Sequence, residues 1–268
     1  MNYKSFQPHP ILRPFVKCAW TLEGFAGAQL ERVLPDGCTE LIFHYGDLFR
    51  QHKAEGPGEI QPRSSVVGQI SQYIQLEATG TIGIVAMRFF PHGLASFASL
   101  PIADLSNQSV SVHDVFGREG EELTRHVLGA NENRDRIRMI ESFLIRKLQR
   151  RPSPDYVIND CVAKIMAEHG QIRVDSLRKN LKVSKRHFER KFNHSVGLNP
   201  KLFGRLIRFH HATRLIENGK FTSLGTLSHE AGYYDQAHFT RDFKEFAGMN
   251  PTAYFKSNHD LNDLFSAG

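Results

Sequence analysis

The sequence predicts an α+β chain of two domains, a β-rich N-terminal half followed by an all-α C-terminal half. Three observations carry this. Residues 16–90 hold short runs of β-formers broken by turn chemistry. After Asp155 the chain reads as helix throughout. And a seventeen-residue pattern is written twice, as "SKRHFERKFNHSVGLNP" (184–200) and "DQAHFTRDFKEFAGMNP" (235–251), with seven identical positions.

In the first half, "TELIFHYGD" (39–47) and "GIVAMRFF" (83–90) are strand-like, and "PDG" (35–37), "GPGE" (56–59) and "TGT" (79–81) are turns. Pro91 suits a first helical turn, and a short helix is expected over 112–128. Ile137, Ile140, Phe143, Leu144 and Leu148 recur at helical spacing in 132–149, an amphipathic helix whose stripe either docks the two domains or dimerises protomers. "RRPSP" (150–154) breaks that helix and marks a boundary. The expected division is a sensor-like domain at 1–130, a connector helix and linker at 131–153, a helical domain at 154–259 and a tail at 260–268.

The repeat has a direct structural reading. Ser184 and Asp235 are N-caps, and Phe188/Phe192 and Phe239/Phe243, four residues apart, bury one face of each helix. A shorter helix precedes each copy, "VDSLRKNL" (174–181) and "SLGTLSHEA" (223–231), which makes two helix-turn-helix units. Between them "PKLFGRLIRFHHATRLIENGK" (200–220) is one helix opened by Pro200 and closed near Gly219. At 1.5 Å per residue a helix of about 18 residues spans about 27 Å, so with the widths of its neighbours it can set two recognition helices about 34 Å apart, one DNA turn.

Charge sharpens this reading. Residues 1–150 carry 16 Lys and Arg against 16 Asp and Glu, and 151–268 carry 18 against 12, so the net +6 lies wholly in the second part. Within 173–214 there are 12 basic and 2 acidic residues, whereas 215–256 holds 4 against 5, with Asp235 and Asp242 on the second recognition helix. Such a one-sided field suits a polyanion, with most phosphate contacts expected from the first motif and the connecting helix. No apolar run is long enough to span a membrane, and "MNYKSFQPHP" lacks a signal core; three widely spaced cysteines, Cys18, Cys38 and Cys161, fit a reducing cytoplasm.

Residues of about 155–258, through "VSKRHFERKF", "PKLFGRLIRFHHATRLIENG", "EAGYYDQAHFTRDFK" and "GMNPTAYF", resemble the two-helix-turn-helix DNA-binding domain of the AraC/XylS family of bacterial transcription regulators. The resemblance implies seven helices, with recognition helices at about 184–194 and 235–246. It places Lys185, Arg186, Glu189 and Arg190 of the first helix, and Gln236, Thr240 and Arg241 of the second, at the DNA. Arg190 and Arg241 are open to two other roles, a backbone contact or an internal salt bridge. Lys182, Ser184, His187, Lys191 and His238 are phosphate-contact candidates, with turn packing as the other role for the two histidines. Double-stranded operator DNA is the partner implied; RNA polymerase, a small-molecule effector and a second protomer are further open partners. Gly232 occupies the turn of the second motif, but Lys182 stands where the family has glycine in the first, at a cost of about 1 kcal/mol in a left-handed turn.

"RVLPDGCTELIFHYGD" (32–47) and "GQISQYIQLEATGTIGIVAMRFFPHGLASF" (68–97) resemble an N-terminal domain found in a subset of these regulators, whose sensor domains are often β-rich barrels that bind an effector. Trp20, Phe43, Tyr45, Phe89 and Phe90 would either line an effector pocket or pack a core. His9, His44, His52, His92 and His113 are too scattered for a metal set, and no cofactor is expected. The competing readings are a DNA-directed alkyl-transfer enzyme and a nonspecific architectural binder. The first would need a reactive cysteine, but Cys38 sits between Asp36 and Glu40, which raises its pKa. The second would need only the charge.

Overall fold

The structure, a computed structural model, describes residues 1–25, 27, 30–52, 58–150, 155–179, 181, 183–219 and 223–256. The boundary segment 151–154, Lys182 and the tail from 257 lie outside the described residues.

Ten strands form two antiparallel sheets among the described residues. The larger runs β1 (Asn2–Phe6), β2 (Val16–Phe25), β9 (Thr81–Phe89), β4 (Thr39–His44), β7 (Ser64–Val67), β10 (Ser109–Ser111). The smaller runs β3 (Leu30–Val33), β8 (Ile74–Ala78), β5 (Phe49–His52), β6 (Glu59–Ile60). The period of two is visible in β4: Thr39, Leu41 and Phe43 are buried in one core, and Glu40, Ile42 and His44 point the other way. The first face of the large sheet packs Leu41, Phe43, Val85 and Met87 against helices; the second packs Trp20, Leu22 and Ile84 with Phe49 and Ala78 of the small sheet. Strand β1 was not foreseen, because "NYKSF" is an exposed edge strand with no apolar alternation.

The expected helix over 112–128 is two, α1 (Val112–Phe116) and α2 (Arg118–Gly129), because Gly117 adopts φ 63° and turns the chain between them. Helix α3 (Asn133–Gln149) is where its periodicity placed it, but it is not a connector. Its Ile137, Ile140, Phe143 and Leu144 are buried in the same core as the large sheet, and Phe143 meets Phe116 edge-on at 5.2 Å. Packing therefore assigns α3 to the N-terminal domain, and its stripe is consumed there rather than between domains or protomers.

Seven helices follow: α4 (Tyr156–Ala167), α5 (Val174–Lys179), α6 (Lys185–Val196), α7 (Pro200–Glu217), α8 (Leu224–Glu230), α9 (Gln236–Ala247) and α10 (Pro251–Lys256). They share a second core centred on α7, where Phe203 and Phe209 meet Phe192, Phe243 and Phe246 at 5.1–5.7 Å between rings. Each such phenylalanine contributes about 1.5–3 kcal/mol by burial. No helix among the described residues is long and apolar enough to cross a membrane.

Candidate nucleic-acid interface

The two copies of the repeat fold alike. Ser184 Oγ accepts from His187 N at 3.3 Å and Asp235 Oδ1 from His238 N at 2.7 Å, capping α6 and α9. Both helices end on a left-handed glycine, Gly197 (φ 90°) and Gly248 (φ 70°). After the first, Asn199 Oδ1 caps α7 through Leu202 N at 2.9 Å; after the second, Asn250 Oδ1 caps α10 through Ala253 N at 2.7 Å. Phe188 and Phe192 on α6, and Phe239 and Phe243 on α9, are fully buried, so the opposite face of each helix is presented outward.

On α6 that outward face carries Lys185, Arg186, Arg190 and Lys191, all exposed, with Glu189 half-buried and 3.9 Å from Lys185. Arg190 Nη2 lies 3.3 Å from His187 Nδ1, and Lys191 pairs with Asp155 at 3.0 Å. On α9, Gln236 and Arg241 are exposed and Thr240 is half-buried. His238 leans edge-on against Tyr233 at 5.2 Å. Among the described residues, neither Arg190 nor Arg241 has a carboxylate partner.

Two charges belong elsewhere than the sequence placed them. Asp242 does not face DNA: it is buried and accepts from Arg205 of α7 at 2.8 Å, while the same guanidinium reaches Glu245 at 2.6 Å. Arg208 is also turned inward, donating to Gly170 O at 2.9 Å beneath Tyr233. Alternation along a helix cannot reveal this, because an arginine paired internally and one facing solvent read the same in sequence. The strut thus spends Arg205 and Arg208 on holding the domain, and the first motif's cations on α6 remain outward.

The N-terminal domain grips both recognition helices at their exits. Ser106 Oγ donates to Gly197 O at 2.6 Å; Tyr73 N donates to Phe246 O at 2.9 Å, and Arg32 donates to Ala247 O while stacking over Tyr73 at 4.1 Å. The turn at Gly37 (φ 84°) rests on Phe203, Leu206 and Ile207 of α7.

Between the second face of the large sheet, the small sheet and α7 lies a cavity of about 110 Å³, lined by Trp20, Leu22, Ile42, Phe49 and Ile84, by Arg88, Glu40 and His44, and by His210 and Thr213 of α7. Of the aromatics weighed for a pocket, Trp20 lines it; Phe43 and Phe89 are core, Tyr45 lies under Arg136, and Phe90 stacks on His92. Arg88 donates to Glu40 at 2.8 Å and to Asp36. Burial holds His44 down to about 4, so its ring is neutral. Burial, more than Glu40, pushes the Cys38 thiol up to about 12, the opposite of what an alkyl-accepting nucleophile needs.

Residues 177–257 match a helix-turn-helix domain, and residues 4–111 a domain of unknown function (DUF6597). The chain carries an AraC-type helix-turn-helix domain. The Msm operon regulatory protein of Streptococcus mutans is 28% identical over 120 residues, 44% of this chain and 43% of that protein. An uncharacterized HTH-type transcriptional regulator of Haemophilus influenzae is 25% identical over 136 residues, 50% and 41%. The chain thus spans under half the length of these relatives. Among solved structures, ToxT from Vibrio cholerae superposes with TM-score 0.47 at 13% identity over 94% of this chain and 98% of its own. ToxT bound to an unsaturated fatty acid superposes with TM-score 0.44 at 13% identity over 88% and 93%.

Proposed function

We propose that this protein is a sequence-specific transcription regulator that sets α6 and α9 into successive major-groove segments of double-stranded operator DNA. The carrying observation is the pair of identically capped helices, each buried by the same two phenylalanines and each turning a polar row outward from one 18-residue strut. An arginine can pair both acceptors of guanine and a glutamine those of adenine, so Arg186, Arg190, Gln236 and Arg241, with Glu189 and Thr240 beside them, are the base-reading set. Lys185, Ser184, His187, Lys191 and His238 are placed for phosphates; Lys182 belongs to the same expectation. The N-terminal domain, which touches both helix exits and the strut, controls that pair through a small molecule in the cavity. The working compartment is the cytoplasm, with RNA polymerase and a second protomer as further partners.

Selection from a random duplex pool followed by footprinting tests this. Two protected patches one helical turn apart are expected. Equal affinity for all selected and unselected duplexes would leave only a nonspecific binder.

A further inference from the structure

The cavity between the sheets and the strut has a chemistry that selects its occupant. Its charges are already matched: the Arg88 guanidinium lies between Asp36 and Glu40. A ligand carboxylate would meet those two carboxylates on a cation they already neutralise. A ligand ammonium would meet the guanidinium that already holds the two acids. Either charge would lose its water for no new partner.

What the cavity lacks is a partner for His44. This ring is 2% exposed, it lines the cavity, and neither Nδ1 nor Nε2 has a hydrogen-bond partner among the described residues. A neutral imidazole offers one donor and one acceptor, and a hydroxyl answers either. Trp20, Leu22, Phe49 and Ile84 make the surrounding wall apolar. At about 110 Å³ the space is of the order of the ~150 Å³ engineered cavity that takes benzene.

We propose that the cavity binds an uncharged, single-ring-sized apolar molecule carrying one hydroxyl-type group, held by His44 and enclosed by Trp20 and the strut. This rests on the proposed control of DNA binding through the N-terminal domain, and deepens it. The far wall is His210 and Thr213 of α7, the helix that joins the two motifs, so an occupant touches the sensing sheets and the strut together.

Trp20 is the chain's single tryptophan and reports occupancy directly. Full-length protein is titrated with benzyl alcohol, benzoate and benzylamine at neutral pH while its fluorescence is followed. Benzyl alcohol should give a saturable change, with the two charged probes at least about tenfold weaker. His44→Phe should weaken the alcohol by about tenfold or more, because its hydrogen bond is lost. Val67→Phe, which fills the cavity from β7, should abolish the change. Benzoate or benzylamine binding as tightly as the alcohol, no saturable change with any probe, or undiminished binding in both variants would overturn the proposal. Titrating the selected duplex with the same samples shows that the variants are folded and separates the two readings. Probe binding that leaves DNA affinity unaltered keeps the ligand class and removes the control; selective DNA binding without probe binding does the reverse.

Discussion

Replacing Arg205 by Met should destabilise the helical domain by about 3 kcal/mol. Asp242, only 3% exposed, takes two hydrogen bonds from this guanidinium, at 2.8 and 3.3 Å; Glu245, far more open, takes two more, at 2.6 and 3.2 Å. Removing one partner of a buried pair costs about 3–5 kcal/mol, since the other charge stays buried and unpaired. Arg205 itself is 26% exposed, so water enters readily and the lower end applies. The Glu245 arm adds little, because exposed pairs are worth about 0–1 kcal/mol.

With a urea slope near 2 kcal/mol per molar, the unfolding midpoint should fall by about 1.5 M, read by circular dichroism. Glu245→Gln should shift it by less than about 0.5 kcal/mol. Adding Asp242→Leu to Arg205→Met should recover most of the loss, because an apolar pair of similar volume removes the stranded charge. The same cluster joins α9 to the strut, so Arg205→Met should also blur preference at the α9 half of a selected duplex more than at the α6 half. A loss below about 0.5 kcal/mol, or a double variant whose two losses simply add, would refute the reasoning.

Four further outcomes are expected. Neutralising Lys185 and Arg186 together should reduce the salt slope of DNA binding by nearly 2 × about 0.9, and neutralising Arg241 and Lys244 by less; equal reductions would end the asymmetry. Arg190→Ala should cost about 1–3 kcal/mol on the selected duplex and relax one base position, whereas a uniform loss over all sequences would mark a phosphate contact. His44 titrates near 4 when folded and near 6.5 when unfolded, so the unfolded chain takes the proton first; stability should drop by about 3 kcal/mol as pH falls from 6.5 to 4. His44→Phe should be missing that part of the acid slope in calorimetry, measured as a difference because His210 adds the same sign and buried Glu40 the opposite one. A fragment from about residue 151 onward should keep binding the duplex while losing any response to benzyl alcohol; a response retained by the fragment would detach control from the N-terminal domain.

The helical half was legible because its signals are local. Caps, paired phenylalanines and glycine exits lie within one helix length of each other, and all seven expected helices are present within a few residues of their expected ends. The connecting helix was the opposite case. Its apolar stripe on Ile140 and Phe143 says that α3 is buried, not against what, and the answer lies in strands 50 to 100 residues earlier. Asp242 was misplaced for the same reason, since its partner Arg205 is 37 residues away on another helix. His44 and Arg88 looked like ordinary strand residues; only the pairing of β4 with β9 turns them toward one space.

The doubled glycine exit then acquires a second meaning. A helix leaves its last carbonyls without partners inside itself. At α9 those of Phe246 and Ala247 are taken by Tyr73 N and Arg32, and beyond α6 the Gly197 carbonyl is taken by Ser106. Gly248 also lies so close to the Tyr73 ring that a Cβ there would stand 2.0 Å from it. Glycine at this exit therefore ends the recognition helix and admits the other domain in one stroke. Since both helices are held by the same body, a shift of that body relative to the strut changes their mutual pose. A ligand can produce such a shift only by binding one pose more tightly than the other, and a tenfold change in DNA affinity requires about 1.4 kcal/mol of that difference. The cavity meets the structural condition for this, because its walls belong to both sides of the contact that would have to move.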